Sequence, residues 1–126
     1  GAVAAALRHP DRQVVCVLGD GDFLMTGNEL ALAVERKLPI KIILSNNRSY
    51  GSIRLQQERE YPGRNIGTDL STPDFAALAR AFGCEALVVN REEEVGPVLD
   101  AALASLGPVL VEVKASLSAV LPPPRA

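Results

Sequence analysis

Short apolar runs alternate with segments of helical periodicity along most of this chain. The runs are rich in β-branched residues and have the length of buried strands, whereas the other segments place apolar residues three to four positions apart. Strands are predicted at residues 13–18, 40–45, 86–89 and 109–113. Helices are predicted at residues 1–7, 27–37, 49–57, 73–82 and 92–106. Since strands that alternate with helices form parallel sheets, we expect an open α/β sheet with helices on both faces.

The fourth helix has the clearest start signal. Thr72 is predicted as its N-cap and Pro73 as its first residue, and Phe75 and Phe82 are predicted to pack in the core. The preceding segment, residues 58–70, is rich in glycine, charge and turn formers, so an irregular surface loop is predicted there. Long irregular loops are often functional, although charged residues in a loop are more often simply solvated. Seven residues in and before this loop are candidates for a substrate-side or subunit-side surface: Arg54, Gln57, Glu58, Arg59, Glu60, Tyr61 and Arg64.

Composition excludes several classes of partner. The chain has 126 residues, 13 Lys and Arg against 15 Asp and Glu, and a formal net charge of −2. This balance argues against a nucleic-acid or membrane-surface partner, since such proteins carry a clustered basic excess. Cys16 and Cys84 match no metal spacing, and two reduced, buried thiols in a cytoplasmic protein are predicted. His9 precedes a proline and is predicted to lie in a surface turn.

Both ends of the chain have distinctive sequence patterns. The first residues, 1–7, already have a helical pattern with no initiator Met before them, so we expect an upstream part to be missing. The last residues, 120–126, are rich in proline and are predicted to form an extended tail. One domain core is therefore predicted over residues 1–119.

The candidate chemistry follows the first two predicted strands. Gly19-Asp20-Gly21-Asp22 comes after the first strand, and Asn46-Asn47 comes at the end of the second. Ligands of open α/β sheets bind outside the carboxyl ends of the strands, and the two clusters should meet there. A carboxylate with neutral amide and carbonyl oxygens is an incomplete oxygen site, which Mg²⁺ completes with substrate phosphates and water. The pattern therefore favours a Mg²⁺ ion that bridges the protein to a diphosphate.

Two simpler explanations compete with this one. Each cluster alone is also an ordinary turn or strand end, because Gly, Asp and Asn are common turn residues; only the two together, at matching positions, favour a site. A dinucleotide-binding domain requires a third glycine and an acid after the second strand. Here the third glycine position holds Leu24, and the second strand ends in Ser45-Asn46-Asn47. The dinucleotide interpretation is therefore disfavoured.

The two clusters resemble the signature of enzymes that use thiamine diphosphate, in which G-D-G is followed by N-N after about two dozen residues. Here residues 22–45 separate the two parts. The chain is similar to the C-terminal domain of acetolactate-synthase-like enzymes in further segments as well, up to the proline-rich tail. These segments are residues 22–30, 38–40, 50–54 and 73–79.

The resemblance implies roles for particular residues. The Asp20 carboxylate, the Asn47 side-chain oxygen and the Ser49 carbonyl would be Mg²⁺ ligands. Four residues would lie along the diphosphate: Gly21, Asp22, Tyr50 and Gly51; Gly19 would also belong to the cofactor-binding residues. Asp22 departs from the small or hydroxylated residue common at its position, and a carboxylate there is repelled by a diphosphate. We expect its side chain to turn away, so that only its N–H faces the phosphate.

The same resemblance implies a larger enzyme. Such an enzyme decarboxylates or ligates small 2-oxo acids, is cytoplasmic and forms a homodimer or homotetramer. Its activating glutamate is on another domain, usually of a partner subunit, and its cofactor domain also has an earlier strand and Gly-rich loop. Four glutamates of this chain are expected to be helix or loop charges rather than substitutes: Glu29, Glu35, Glu58 and Glu60. This chain alone is thus predicted to be an inactive partial domain; the alternative is a non-catalytic domain used for assembly with partner chains.

Overall fold

The structure, a computed structural model, describes residues 1–119. Along the chain it has helices and strands in alternation, with the following bounds: α1 Ala2–Arg8, β1 Val14–Gly19, α2 Asp20–Thr26, α3 Leu30–Glu35, β2 Ile40–Asn46, α4 Gly51–Glu60, α5 Phe75–Ala81, β3 Glu85–Val89, α6 Val95–Ala104 and β4 Val109–Lys114. Short 3₁₀ turns occupy Gly27–Glu29, Glu92–Glu94 and Leu117–Ala119. The predicted tail, residues 120–126, lies outside the described residues.

The four strands form one parallel sheet in the order β1-β2-β4-β3. This arrangement confirms the predicted α/β class. One face packs against α1, α2, α3 and α5, and its core includes Leu44, Phe75 and Leu110. The other face packs against α6 through Ala102, with Val109 and Val111 beneath it. Within residues 1–119, no helix is long and apolar enough to cross a bilayer.

Strand β1 is less buried than its apolar sequence predicts. Val15 is 54% exposed and Val17 is 74% exposed, because β1 lies at the edge of the sheet and α6 packs mainly against β3 and β4. The prediction that Cys16 is buried is also wrong, since this residue is only partly buried. Cys84 is buried, and burial raises the pKa of its thiol to about 11, so the thiol remains protonated near neutral pH.

Three predictions about helices need correction. The competing explanation of Gly19-Asp20-Gly21 as an ordinary turn is wrong for its last two residues, because helix α2 begins directly at Asp20. Helix α5 is capped by Asp74 rather than Thr72, because the Asp74 carboxylate accepts a hydrogen bond from the Ala77 N–H at 2.8 Å. Pro73 consequently lies before the helix. Aspartate is at least as favourable an N-cap as threonine.

The predicted loop also has more structure than its composition indicates. Helix α4 extends to Glu60, and Asp69 forms an antiparallel bridge with Ser49. Phe82 is only partly buried, whereas Phe75 is fully buried. His9 follows α1 and is exposed, which confirms the predicted surface turn.

A buried lysine joins the sheet to the end of α6. The Lys41 ammonium on β2 donates hydrogen bonds of 2.6 Å to the carbonyl oxygens of Ser105 and Gly107. These bonds offset part of the cost of burying a charged group. Desolvation by burial lowers the pKa of Lys41.

Replacing this lysine should weaken the fold. Lys41→Met is expected to lower the free energy of unfolding by about 1.5–3 kcal/mol, because two carbonyls lose a charged donor. Urea unfolding of the chain measures the change. Lys37→Met, at an exposed position before β2, is the control and should change little. Equal stability of the two variants would contradict this role for Lys41.

Candidate functional site

The two polar clusters meet at the carboxyl edge of β1 and β2. These strands are parallel neighbours, and Gly19 at the end of β1 pairs with Ser45 near the end of β2. Asp20 is the first residue after β1, and Asn46 is the last residue of β2. The register therefore brings together Asp20 and Asn46, which are 26 positions apart in the sequence (46 − 20).

Asp20 connects the two segments directly. It is 2% exposed; its Oδ1 accepts a hydrogen bond from the Gly21 N–H at 2.8 Å, and its Oδ2 accepts one from the Arg48 N–H at 2.6 Å. A buried carboxylate requires such donors to offset the loss of water. Each oxygen still has a further lone pair that can bind a cation.

The turn after β2 is held in an uncommon conformation. Arg48 has φ of 58°, in the left-handed region that costs a non-glycine residue about 1 kcal/mol or more. Side-chain oxygens stabilise the turn: Asn46 Oδ1 accepts from the Arg48 N–H at 3.2 Å, and Asn47 Oδ1 accepts from the Ser49 N–H at 3.0 Å. A strained turn that is fixed by several hydrogen bonds is typical of a functional site.

Ser49 is fixed by a segment that sequence reasoning did not connect to the site. Its hydroxyl donates to the Thr68 carbonyl oxygen at 2.8 Å, and the Tyr50 N–H donates to the same oxygen at 2.8 Å. The Ser49 carbonyl oxygen accepts from the Gly51 N–H at 2.8 Å. Thr68 is buried, but no local pattern in residues 58–70 indicates this pairing, because it joins distant parts of the chain.

Gly21 and Tyr50 are in close contact across the site. A Cβ atom at position 21 would lie 2.7 Å from Cδ1 and from Cε1 of the Tyr50 ring. Only glycine therefore allows the ring to lie against this part of α2.

The Asp22 carboxylate is directed back toward β1. Its Oδ2 accepts a hydrogen bond from the Gly19 N–H at 3.1 Å, as part of the N-terminal cap of α2. The negatively charged group therefore lies beside the end of β1.

A second group that the sequence analysis missed lies behind the turn. Glu112 on β4 is 1% exposed, and its Oε1 accepts a hydrogen bond from Asn46 Nδ2 at 2.6 Å. Lys114 Nζ forms an ion pair with the same oxygen. A single glutamate inside the apolar run 109–113 was the available signal, since a charge is seldom buried without a partner.

A cavity of about 690 Å³ opens beside the turn. Its lining includes Asn46, Asn47, Arg48, Arg80, Glu112 and Lys114. The cavity therefore lies at the carboxyl edge of the sheet, beside the polar residues at the ends of β2 and β4.

The candidate residues of the 54–64 segment mostly contact other residues of the same loop, within residues 63–69. Arg54 forms a 2.6 Å ion pair with Asp69, and Gln57 bonds both backbone groups of Ile66. Glu58 accepts hydrogen bonds from the Asn65 side chain and the Gly63 N–H, and these bonds lower the pKa of its carboxyl group. These contacts order the loop, and they leave the predicted substrate-side or subunit-side role as a hypothesis.

Within residues 1–119, no group of three or more His, Cys, Asp or Glu side chains is arranged to hold a metal ion. A metal at this edge would depend on the Asp20 carboxylate together with amide and carbonyl oxygens. Such a ligand set suits a hard cation such as Mg²⁺, which takes its other ligands from water and phosphate.

Fold and site together define an α/β domain with an oxygen-rich site at the carboxyl edge of a parallel sheet. The family model described as "Thiamine pyrophosphate enzyme, C-terminal TPP binding domain" matches residues 1–113. The chain belongs to this family, and thiamine pyrophosphate is another name for thiamine diphosphate. The resemblance seen in the sequence is thereby confirmed.

Several curated proteins are similar over most of the chain. The acetolactate synthase isozyme 2 large subunit of Escherichia coli (strain K12) is 39% identical over 113 residues, which cover 89% of this chain and 21% of that protein. The acetolactate synthase large subunit of Parasynechococcus marenigrum (strain WH8102) is 39% identical over 114 residues, covering 89% and 18%. Acetolactate synthase of Mycobacterium avium is 41% identical over 108 residues, covering 82% and 17%. The chain thus spans about a fifth of the length of these relatives.

Proposed function

We propose that this chain binds the Mg²⁺–diphosphate end of thiamine diphosphate in a larger enzyme that decarboxylates or ligates small 2-oxo acids. The observation that carries the proposal is the 2.6 Å hydrogen bond from the Arg48 N–H to Asp20. This bond joins the two separated parts of the cofactor signature into one site. The relatives named acetolactate synthase support the class of reaction.

Three protein oxygens are proposed as Mg²⁺ ligands: the Asp20 carboxylate, the Asn47 Oδ1 atom and the Ser49 carbonyl. Asp20 and Ser49 are buried and held by several hydrogen bonds, so little reorganisation is needed to present them. The set supplies one negative charge and three oxygens, and the diphosphate and water would supply the rest. These residues therefore fit the cofactor.

Four residues are proposed to lie along the diphosphate: Gly21, Asp22, Tyr50 and Gly51. Helix α4 begins at Gly51 with no side-chain cap, and an uncapped N-terminus offers N–H groups to phosphate oxygens. The Asp22 carboxylate bonds to Gly19, which supports the expectation that only its N–H faces the phosphate.

When bound, thiamine diphosphate supplies the electron sink for loss of CO₂ from a 2-oxo acid. The residues of this chain bind and orient the cofactor. Glu35 pairs with Arg36, and Glu58 is occupied by loop donors, which supports their role as surface charges. We therefore place the activating glutamate on another domain. On this proposal the chain alone is inactive, and the whole enzyme is a cytoplasmic homodimer or homotetramer.

Decarboxylation by the whole protein tests the proposal. The protein is stripped of metal and cofactor, and CO₂ release from pyruvate and from glyoxylate is measured. We expect turnover only when thiamine diphosphate and Mg²⁺ are both restored. A folded, complete protein with no turnover and no cofactor binding would instead support the assembly role, in which the domain is non-catalytic.

A further inference from the structure

Burial of the Glu112 carboxylate is unfavourable to the free energy of folding. It lies on β4 directly opposite Leu44 of β2, on the sheet face that contains Leu110. Removing a carboxylate from water is costly even when it is paired, and an apolar residue of similar volume is often as stable or more stable at such a position. Stability alone therefore gives a weak explanation for a glutamate here.

Glu112 determines which way the Asn46 side chain faces. The Asn46 Nδ2 amide group donates a hydrogen bond to Glu112 Oε1 at 2.6 Å, because an amide nitrogen donates and does not accept. The Asn46 Oδ1 atom is then directed to the other side, where it accepts from the Arg48 N–H at 3.2 Å. Lys114, which is exposed, forms an ion pair with the same carboxylate from the solvent side.

The hydrogen bonds that run from Glu112 through Asn46 reach the candidate site at the Arg48 N–H. It donates both to Asn46 Oδ1 and to Asp20 Oδ2, while the residue itself has the left-handed φ of 58°. Asn47 and Ser49 flank Arg48 on either side. A change at Glu112 is thus transmitted through Asn46 to the turn that carries two of the proposed ligands.

We infer that Glu112 is a positioning residue for the metal-binding turn, acting through Asn46 and without contact to the cofactor. This inference rests on the proposed function. Replacement of residues that orient metal ligands in this way typically lowers the metal affinity by about 10–100-fold. The apolar replacement removes the constraint on Asn46, whereas a glutamine keeps an acceptor oxygen at the same place.

The test uses the whole protein with saturating thiamine diphosphate, and it measures the Kd of Mg²⁺ by calorimetric titration. Glu112→Leu is expected to raise this Kd by about 10–100-fold, and Glu112→Gln is expected to restore most of the affinity. Glu85→Ala is the control, because Glu85 begins β3 at the far edge of the sheet and contacts Ser105 instead. Its Kd should equal that of the wild type.

A double-mutant cycle separates positioning from a general structural effect. If Glu112 acts through Asn46, Asn46→Ala gives a similar loss, and the double variant loses no more than either single one. Additive losses would overturn the inference. If Glu112→Leu does not fold in the absence of cofactor, Glu112→Gln and Asn46→Ala are used for the test instead. A Glu112→Gln variant whose Mg²⁺ affinity is as low as that of Asn46→Ala would also overturn the inference.

The outcomes also separate this inference from the proposed function. If the wild type binds thiamine diphosphate with Mg²⁺ and Glu112→Leu binds it equally well, only the positioning role is contradicted. A wild-type protein that does not bind the cofactor removes the proposed function, and the positioning role is lost with it.

Discussion

Phe75→Ala is expected to lower the free energy of unfolding by about 3–5 kcal/mol, the usual cost of deleting a fully buried aromatic ring. Phe75 has no exposed surface. Its ring meets that of Phe23 edge-on, with centroids 5.4 Å apart and planes at 86°, and such pairs add about 0.5–1.5 kcal/mol beyond burial. Phe23 belongs to α2, which begins at Asp20. The substitution therefore weakens the support of the site as well as the core.

Urea unfolding measures this effect, with the midpoint converted through the slope of the transition. Phe82→Ala is the matched control, because Phe82 follows the same helix but is only partly buried. A clearly smaller loss is expected there. Equal losses in the two variants would show that the Phe23–Phe75 contact is not central to the core.

Asn47→Ala is expected to reduce Mg²⁺-dependent affinity for thiamine diphosphate by about 100-fold or more, the upper end of the range for residues that only orient ligands. The substitution removes a proposed metal ligand and also the acceptor for the Ser49 N–H. Asn47 is not fully buried, so the fold should tolerate alanine here, with a loss near that of one hydrogen bond.

Equilibrium binding of the cofactor to the whole protein measures this change, at several Mg²⁺ concentrations. Asn90→Ala is the control, since Asn90 is an exposed asparagine that follows β3 and lies outside the site. Unchanged affinity in Asn47→Ala would remove Asn47 from the ligand set. A loss that excess Mg²⁺ overcomes would support it.

The strands were predictable because their residues are apolar on nearly every position, and each predicted strand lies within a residue or two of the observed one. Helix α2 was not predictable in the same way. Its N-cap Gly19 and its first residues, Asp20-Gly21-Asp22, favour a turn by composition, and the Asp22 cap together with Phe23 packing overrides that preference. The exposure of Val17 was also not predictable, because an apolar residue does not indicate whether its strand is central or at the edge of the sheet.

The two halves of the site could be predicted because they end adjacent parallel strands. Thr68 and Glu112 could not be connected to it, since each reaches the site through contacts between distant parts of the chain. The roles assigned to Asp20, Asn47 and Ser49 toward a metal stay predictions, as do those of the diphosphate-side residues. What the structure adds is the Arg48 N–H, which donates to both Asp20 and Asn46 and so joins the two parts of the site.

Calorimetric titration of the whole protein with thiamine diphosphate, with and without Mg²⁺, tests the central claim most directly. The wild type should bind only when Mg²⁺ is present, and Asp20→Ala should abolish that binding. Asp11→Ala, an exposed aspartate before β1, should bind as the wild type does. Binding that persists in EDTA, or that is equally tight in a folded Asp20→Ala variant, would contradict a metal–diphosphate site at Asp20.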